Sequence, residues 1–346
     1  MRSATCEPTV PSPMSPTFKA LWAMGAILPA VTLVLREADV ERVIQMDAVI
    51  AAVDAAMHEL GDGTAQNEPR RRAFAPGGLL NVMFASYPGG GCTGLKAYTV
   101  AAGRVRFLVV LFALDGSFQA LIEAELMGAY RTGAATAVAV RALAPRQPAT
   151  VALIGAGHQA VTQALAISRV LQIKEIRVFS RDPDRRAAFA AAQAAELSLR
   201  VVAAGSAEAA VRGADVVITM TTSSVPVIEA GWVEEHAVVV GAGSNFPNRT
   251  EMPADLVARA RTVVVDQLAA AQLESGDLIQ ANAAGTFDWD RATELGSVLT
   301  GTWKPPAEPG ITLFESHGLA LWDLAAGSVV LAAARERRLG EEVELF

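Results

Sequence analysis

The sequence predicts an α/β protein in two parts: a largely antiparallel α+β region, then a Rossmann-type doubly wound parallel sheet. Three observations carry this. Apolar runs separated by Gly-rich turns fill residues 79–113, the pattern of short antiparallel strands. From Ala149 onward, strand-like runs alternate with Ala-rich helical stretches, the order that builds a parallel sheet. The first of these runs, Val151-Ala-Leu-Ile, stops at Gly155-Ala-Gly157-His-Gln-Ala160, a tight turn opening a helix.

Each element has its own signal. Residues 1–30, rich in Pro, Ser and Thr, read as an irregular extension. The apolar stretch 20–35 contains Pro29 and is short for a membrane span. Thr32-Leu-Val-Leu starts the first strand. Asp47 suits a helix N-cap, with Ile50, Val53 and Met57 on one face, and Gly61-Asp-Gly ends that helix. Strands follow at 79–84, 94–100 and 107–113, with Asp115-Gly116 a hairpin turn. A helix runs over 124–143 and ends before Pro145 and Pro148. The parallel strands are expected at 150–154, 175–179, 199–202, 215–220, 237–241 and 262–265. Helix continues to about Gly301, a Pro-rich linker spans 302–310, and an amphipathic helix covers 319–338.

Composition narrows the function classes. The chain has 346 residues, 52% of them hydrophobic, enough for two domains with ample cores. A net charge of -7 argues against a nucleic-acid partner. Two cysteines, Cys6 and Cys92, make no disulfide framework, and the four histidines show no metal-ligand spacing. A cytoplasmic protein without membrane or metal partners is expected.

The glycine turn points to a dinucleotide. Gly155 permits the turn, Gly157 admits a pyrophosphate to the backbone, and Ala160 allows close helix packing. Ala156, His158 and Gln159 would contact the phosphates at the helix N-terminus. The next strand ends in Ser180-Arg181 with Arg185 nearby, where NAD sites usually carry an acidic residue. A hydroxyl and cations suit a 2′-phosphate, so NADP(H) is expected to be preferred, with NAD(H) possible. Thr221, Thr222, Ser244 and Asn245 follow later strands and would face the cofactor or substrate.

Outside the turn, Lys96 interrupts an apolar strand and Arg131 opens a small-residue helix. Arg72 closes the run Arg70-Arg71-Arg72. Buried cations need an anionic partner, and a substrate carboxylate would serve.

These segments together resemble the ornithine cyclodeaminase/mu-crystallin family. The resemblance rests on Thr32-Leu-Val-Leu-Arg-Glu-Ala-Asp-Val, Leu95-Lys96, Tyr130-Arg131-Thr132-Gly-Ala-Ala, Ile154-Gly-Ala-Gly-His-Gln-Ala160 and Gly241-Ala-Gly-Ser-Asn245 with Arg249-Thr-Glu251. Glu274-Ser-Gly-Asp277 and Phe314-Glu-Ser-His-Gly318 with Asp323 complete it. It implies a homodimer and a split substrate domain: 31–145 and 311–346 flanking an NAD(P)-binding domain at 146–310. It implies that Arg72, Lys96 and Arg131 bind the substrate carboxylate, although a shift of register along the arginine run is open. Lys96 and Asn245 would be the catalytic residues, Lys96 in proton transfer and Asn245 beside the nicotinamide, and Thr132 would join the cofactor contacts.

Two departures bear on the substrate. Asn245 stands where the cyclodeaminases carry an aspartate, and an amide is no base. Asn81 stands near the place of their glutamate for the distal ammonium of ornithine. The branch implied is therefore an NAD(P)H-dependent reductase of a small imino acid, such as pyrroline-2-carboxylate, or an amino-acid dehydrogenase. The alternatives are ornithine cyclodeaminase, making L-proline and ammonia with NAD+, and a non-catalytic NADPH-binding protein. His317 is left either lining the pocket or held in a loop.

Overall fold

A computed structural model describes residues 31–144, 149–306 and 308–345. The expected extension at 1–30 lies outside them. The first part runs β1 (Val31–Leu35), α1 (Glu37–Val43), α2 (Met46–Asp62), β2 (Gln66–Ala75), β3 (Gly78–Tyr87), β4 (Cys92–Ala101), β5 (Arg104–Ala113), β6 (Phe118–Glu123) and α3 (Glu125–Leu143). The second runs β7 (Ala149–Ile154), α4 (His158–Val170), β8 (Ile173–Phe179), α5 (Pro183–Leu197), β9 (Val201–Ala203), α6 (Ala207–Val211), β10 (Val216–Thr219) and β11 (Val238–Gly241). It continues with α7 (Ala254–Arg259), β12 (Thr262–Val265), α8 (Leu268–Glu274), α9 (Gly276–Ala283), β13 (Ala292–Glu294), α10 (Leu295–Leu299) and β14 (Thr312–Glu315). Helix α11 (Ala320–Arg337) and β15 (Glu341–Glu344) close the chain.

The first sheet has the order β15-β1-β6-β5-β4-β3-β2. Only β1 and β6 pair in parallel; the other neighbours are antiparallel. The second sheet has the order β13-β12-β14-β11-β10-β7-β8-β9, and every pairing is parallel. Strands β7, β10, β11 and β12 are buried throughout, as expected with helices on both faces. In β3 the odd positions Asn81, Met83 and Ala85 are buried while Leu80 and Phe84 are exposed, so this sheet covers one face only.

Helix α2 buries Met46, Val49, Ile50, Val53, Ala56 and Met57, the stripe expected of an amphipathic helix, and ends at Gly63 with φ 83°. Its N-cap is Gln45; Asp47 sits inside the first turn instead. Strand β2 was not expected, because its Arg-rich and Pro-containing sequence has low strand propensity. Strand β13 falls within the stretch expected to be helix.

Two expectations about the C-terminal part need correction. Strand β14 lies in the parallel sheet between β11 and β12, so the return to the first sheet starts after Glu315 rather than at 311. Leu313, Phe314 and Glu315 are buried among neighbours far away in sequence, which local pattern does not reveal. Helix α11 is buried on every side from Ala320 to Gly327 and is not amphipathic there. It packs on α2 and α3 and across β3 and β4. Trp322 is fully buried, and its indole N–H donates to Met57 Sδ at 3.0 Å.

Candidate active site

Two cavities meet at Met220. The first is a crevice of about 620 Å³ outside the carboxyl ends of β7, β8 and β10, where open α/β sheets bind ligands. Gly155 turns the chain at φ 123°, and a Cβ there would sit 2.3 Å from the Met220 carbonyl oxygen. Above Gly157 there is space: its Cβ would meet nothing nearer than Arg185 Nη2 at 4.0 Å. Helix α4 starts at Gly157 without a side-chain cap, so its first amides are available to an anion. Arg185 Nε donates to the Ala156 carbonyl at 3.0 Å and braces the turn.

Ser180, Arg181, Asp182, Thr221 and Thr222 complete the crevice. The Asp182 carboxylate caps α5 by accepting from the Asp184 and Arg185 amides. Arg181 is exposed, and Arg186 lies over Phe179 with its guanidinium carbon 5.1 Å from the ring centre. Open backbone at a helix N-terminus, with a cation at the far end, fits a dinucleotide.

Glu251 ties two loops of this region together. Its carboxylate accepts from the Thr221 amide at 2.6 Å, the Gly243 amide at 2.8 Å and Thr219 Oγ1 at 3.2 Å. Burial pushes its pKa up to about 7, against the lowering effect of these donors. The Asp277 carboxylate accepts in turn from the Glu251 and Met252 amides. Burial, then Glu315 nearby, raises Asp277 well above the usual carboxylate range.

The second cavity, of about 400 Å³, lies between the buried face of the first sheet, α3 and the loops after β11 and β14. At its base is a corner of buried charge. Lys96 is 2% exposed, and its Nζ donates to Asp323 Oδ1 at 2.7 Å. Arg131 Nε donates to the same oxygen at 3.1 Å. Asp323 Oδ2 has no hydrogen-bond partner among the described residues. Arg70 pairs with Glu274 at 2.5 Å and donates to the His317 carbonyl at 3.0 Å. Gly128 leaves room for Lys96, since a Cβ there would lie 3.3 Å from Nζ. Burial lowers the Lys96 pKa to about 8; Asp323 opposes the shift, while Arg131 and Arg70 add to it. Four cations, Arg70, Arg72, Lys96 and Arg131, face two carboxylates, Glu274 and Asp323, which leaves positive charge for an anion.

The arginine of the corner is Arg70, not Arg72. Across β2, β3 and β4, Arg72 is level with Asn81 and Tyr98, whereas Lys96 is level with Met83. Arg72 thus stands one row beyond Lys96, and two residues back the chain presents Arg70 to the cavity. A bulge between Glu68 and Arg71 accommodates Pro69. Arg72 instead donates to Glu274 at 2.7 Å and to the Asn245 carbonyl at 2.8 Å, bridging the two parts of the chain.

The other expected residues are near one another. Lys96, Arg131, Thr132, His158, Gln159, Ser244 and Asn245 all line the second cavity, and Gly155, Ala156, Gly157, Ser180, Arg181, Arg185, Thr221 and Thr222 the crevice. His317 lines the cavity, yet its Nδ1 lies 3.6 Å from Asp266 and its Nε2 3.4 Å from Glu315. Burial alone would lower its pKa, but these carboxylates hold it up at about 10. His317 is thereby a charged anchor for the loop after β14.

Sequence reasoning assigned no role to Glu274, Asp323, Asp266 or Glu251. Asp323 carried a usable signal: a lone carboxylate in Ala320-Leu-Trp-Asp-Leu-Ala-Ala has no place in a buried helix without a cation. The pairing of Glu274 with Arg70, 204 residues away, had no local sign. Among the described residues, no helix is long and apolar enough to cross a membrane.

The sequence model of the ornithine cyclodeaminase/mu-crystallin family matches residues 30–338. A Delta(1)-pyrroline-2-carboxylate/Delta(1)-piperideine-2-carboxylate reductase of Azospirillum brasilense is 36% identical over 276 residues, 78% of this chain and 80% of that one. The structure of the Thermococcus litoralis Delta(1)-pyrroline-2-carboxylate reductase in complex with NADH and L-proline aligns with a TM-score of 0.85 at 29% identity, covering 90% of this chain and 100% of that one. An archaeal alanine dehydrogenase dimer with bound NAD aligns with a TM-score of 0.85 at 30% identity, covering 91% and 100%.

Proposed function

The chain belongs to the ornithine cyclodeaminase/mu-crystallin family, and on that premise we propose that it is an NAD(P)H-dependent reductase of a small 2-imino acid. The observation that carries this reading is the cationic corner of Arg70, Lys96 and Arg131, set in a cavity that opens onto the dinucleotide crevice at Met220. A cyclic ketimine such as pyrroline-2-carboxylate has the single carboxylate that the corner lacks.

The chain's residues divide the work. Arg70, Arg131 and Lys96 hold the carboxylate, and their own carboxylates Glu274 and Asp323 keep the guanidinium and ammonium groups in place. A bound nicotinamide supplies the hydride for the imine carbon. Lys96 Nζ holds a proton below about pH 8 and delivers it to the substrate nitrogen. Arg72 fixes Asn245 at the cavity wall through its carbonyl. An ornithine cyclodeaminase would need a base at Asn245, and an amide supplies none.

NADP(H) is the preferred cofactor in this reading, supported by Ser180 and Arg181 at the end of β8 and by the engagement of Asp182 in its helix cap. A homodimer is supported by the outer face of the first sheet, where Leu80, Phe84 and Leu108 are 41%, 50% and 40% exposed. Cys92 is buried and has no disulfide partner among the described residues, which suits a reducing cytoplasm.

The test is oxidation of NADPH and NADH by purified protein with Δ1-pyrroline-2-carboxylate, Δ1-piperideine-2-carboxylate, and pyruvate plus ammonium or methylamine. Turnover with any of these imines is expected. Cofactor binding without turnover would favour the non-catalytic alternative.

A further inference from the structure

Asn81 faces the second cavity and is 1% exposed, yet neither its Nδ2 nor its Oδ1 has a hydrogen-bond partner among the described residues. A buried amide with both ends unpaired is costly, and most such groups in folded proteins are satisfied. Asn81 therefore marks a place where a ligand completes the bonding.

Its surroundings define that ligand. Strand pairing sets Asn81 level with Tyr98 and Phe107, and Met83 level with Lys96. Two residues along a strand put the Asn81 row roughly 7 Å from the Lys96 row. The next row, Val100 and Val105, is apolar. Lys96 Nζ lies 5.0 Å from the Phe107 ring centre and 6.0 Å from that of Tyr98, and the Arg70 guanidinium lies 5.9 Å from Tyr98. Cations thus already attend these rings. A second ammonium on the substrate would meet like charge, and it would use Oδ1 and leave Nδ2 unpaired. A carboxylate would use Nδ2 and leave Oδ1 unpaired. A neutral group that both donates and accepts satisfies both atoms.

Resting on the reductase reading, we propose that the substrate is a 2-imino acid bearing an uncharged hydroxyl or carboxamide on its side chain, and that Asn81 selects it. The reaction is unchanged: the imine carbon gains hydride, the nitrogen gains a proton, and NAD(P)H is oxidised to NAD(P)+.

The experiment compares kcat/KM for imines formed with methylamine from 2-oxosuccinamate and from its apolar isostere 4-methyl-2-oxopentanoate, with Δ1-pyrroline-2-carboxylate alongside. The protein is expected to favour the carboxamide about tenfold or more, because rejecting the isostere follows from leaving the Asn81 amide unpaired. Asn81→Leu is expected to invert the preference. The wild-type ratio stands alone should that variant fail to fold. Equal or inverted wild-type ratios, with pyrroline-2-carboxylate still reduced, would overturn this proposal and leave the reductase reading intact. A folded Asn81→Leu variant that keeps the carboxamide preference would overturn the role of Asn81. No NAD(P)H oxidation with any of the three would overturn both.

Discussion

The two cavities are built by different means. The crevice is made from loops that directly follow strands of one sheet, with the backbone of a glycine turn at its centre, and its lining residues lie between Ile154 and Val227. The second cavity is made of side chains drawn from both sheets and from residues 70 to 318. Its charges reach it from unrelated positions: Lys96 meets Asp323 across 227 residues, and Arg70 meets Glu274 across 204. A site of backbone depends on what a local turn leaves open. A site of buried charge depends on every partner being present, because removing one strands another.

This difference can be broken most sharply at Lys96. If it both binds the carboxylate and delivers the proton, Lys96→Ala lowers kcat/KM for imine reduction by about a thousandfold, and Lys96→Arg does not restore it. The pH profile gives the sign. Lys96 is charged in the folded protein below its pKa of about 8, so kcat/KM for reduction holds below that pH and falls as pH rises through it. Unfolded, the lysine keeps its proton to higher pH, so its burial costs stability below about pH 8 and that cost is relieved above it.

The partner comes next. Asp323→Asn keeps the shape but leaves Lys96 and Arg131 without their carboxylate. Unfolding free energy is expected to fall by about 3 kcal/mol in denaturant titrations. The Lys96 pKa, which Asp323 holds up, falls further, moving the limb of the pH profile to lower pH.

At Gly157 in the crevice the expectation reverses: binding changes without stability. Gly157 has open space above it, so Gly157→Val should leave the melting temperature in place while weakening NAD(P)H binding by roughly tenfold or more, as read by fluorescence titration. Gly155→Ala, with its Cβ against the Met220 carbonyl, should lower both. A Gly157→Val variant with unchanged affinity would dissolve the contrast between the two cavities. The smallest effect is at the rim: Arg181→Ala is expected to lower kcat/KM for NADPH about tenfold and to leave NADH unchanged, as for loss of one exposed phosphate contact.

The same difference explains what could be read in the sequence. The crevice was legible because strand, glycine turn, helix and strand are contiguous, and Gly155 to Gln159 are where the pattern put them. Lys96 and Arg131 were legible as cations in apolar settings. Arg70 was not separable from Arg72, since the choice depends on which residue comes level with Lys96 across three strands. Glu274 and Asp323 carry meaning only once their cations are beside them. Strand β14 was misassigned for a related reason: its partners in β11 and β12 lie 74 and 50 residues away, at Thr312↔Val238 and Leu313↔Val263. The orphaned amide of Asn81 is a property of packing alone.

The most direct test of the central claim follows hydride from C4-deuterated NADPH or NADH into the product formed from Δ1-pyrroline-2-carboxylate. The account predicts one deuterium at C2 of proline and one NAD(P)+ for each proline formed, with the yield lost in Lys96→Ala. Proline formed from ornithine without net cofactor oxidation, and no deuterium transfer to the ketimine, would contradict it.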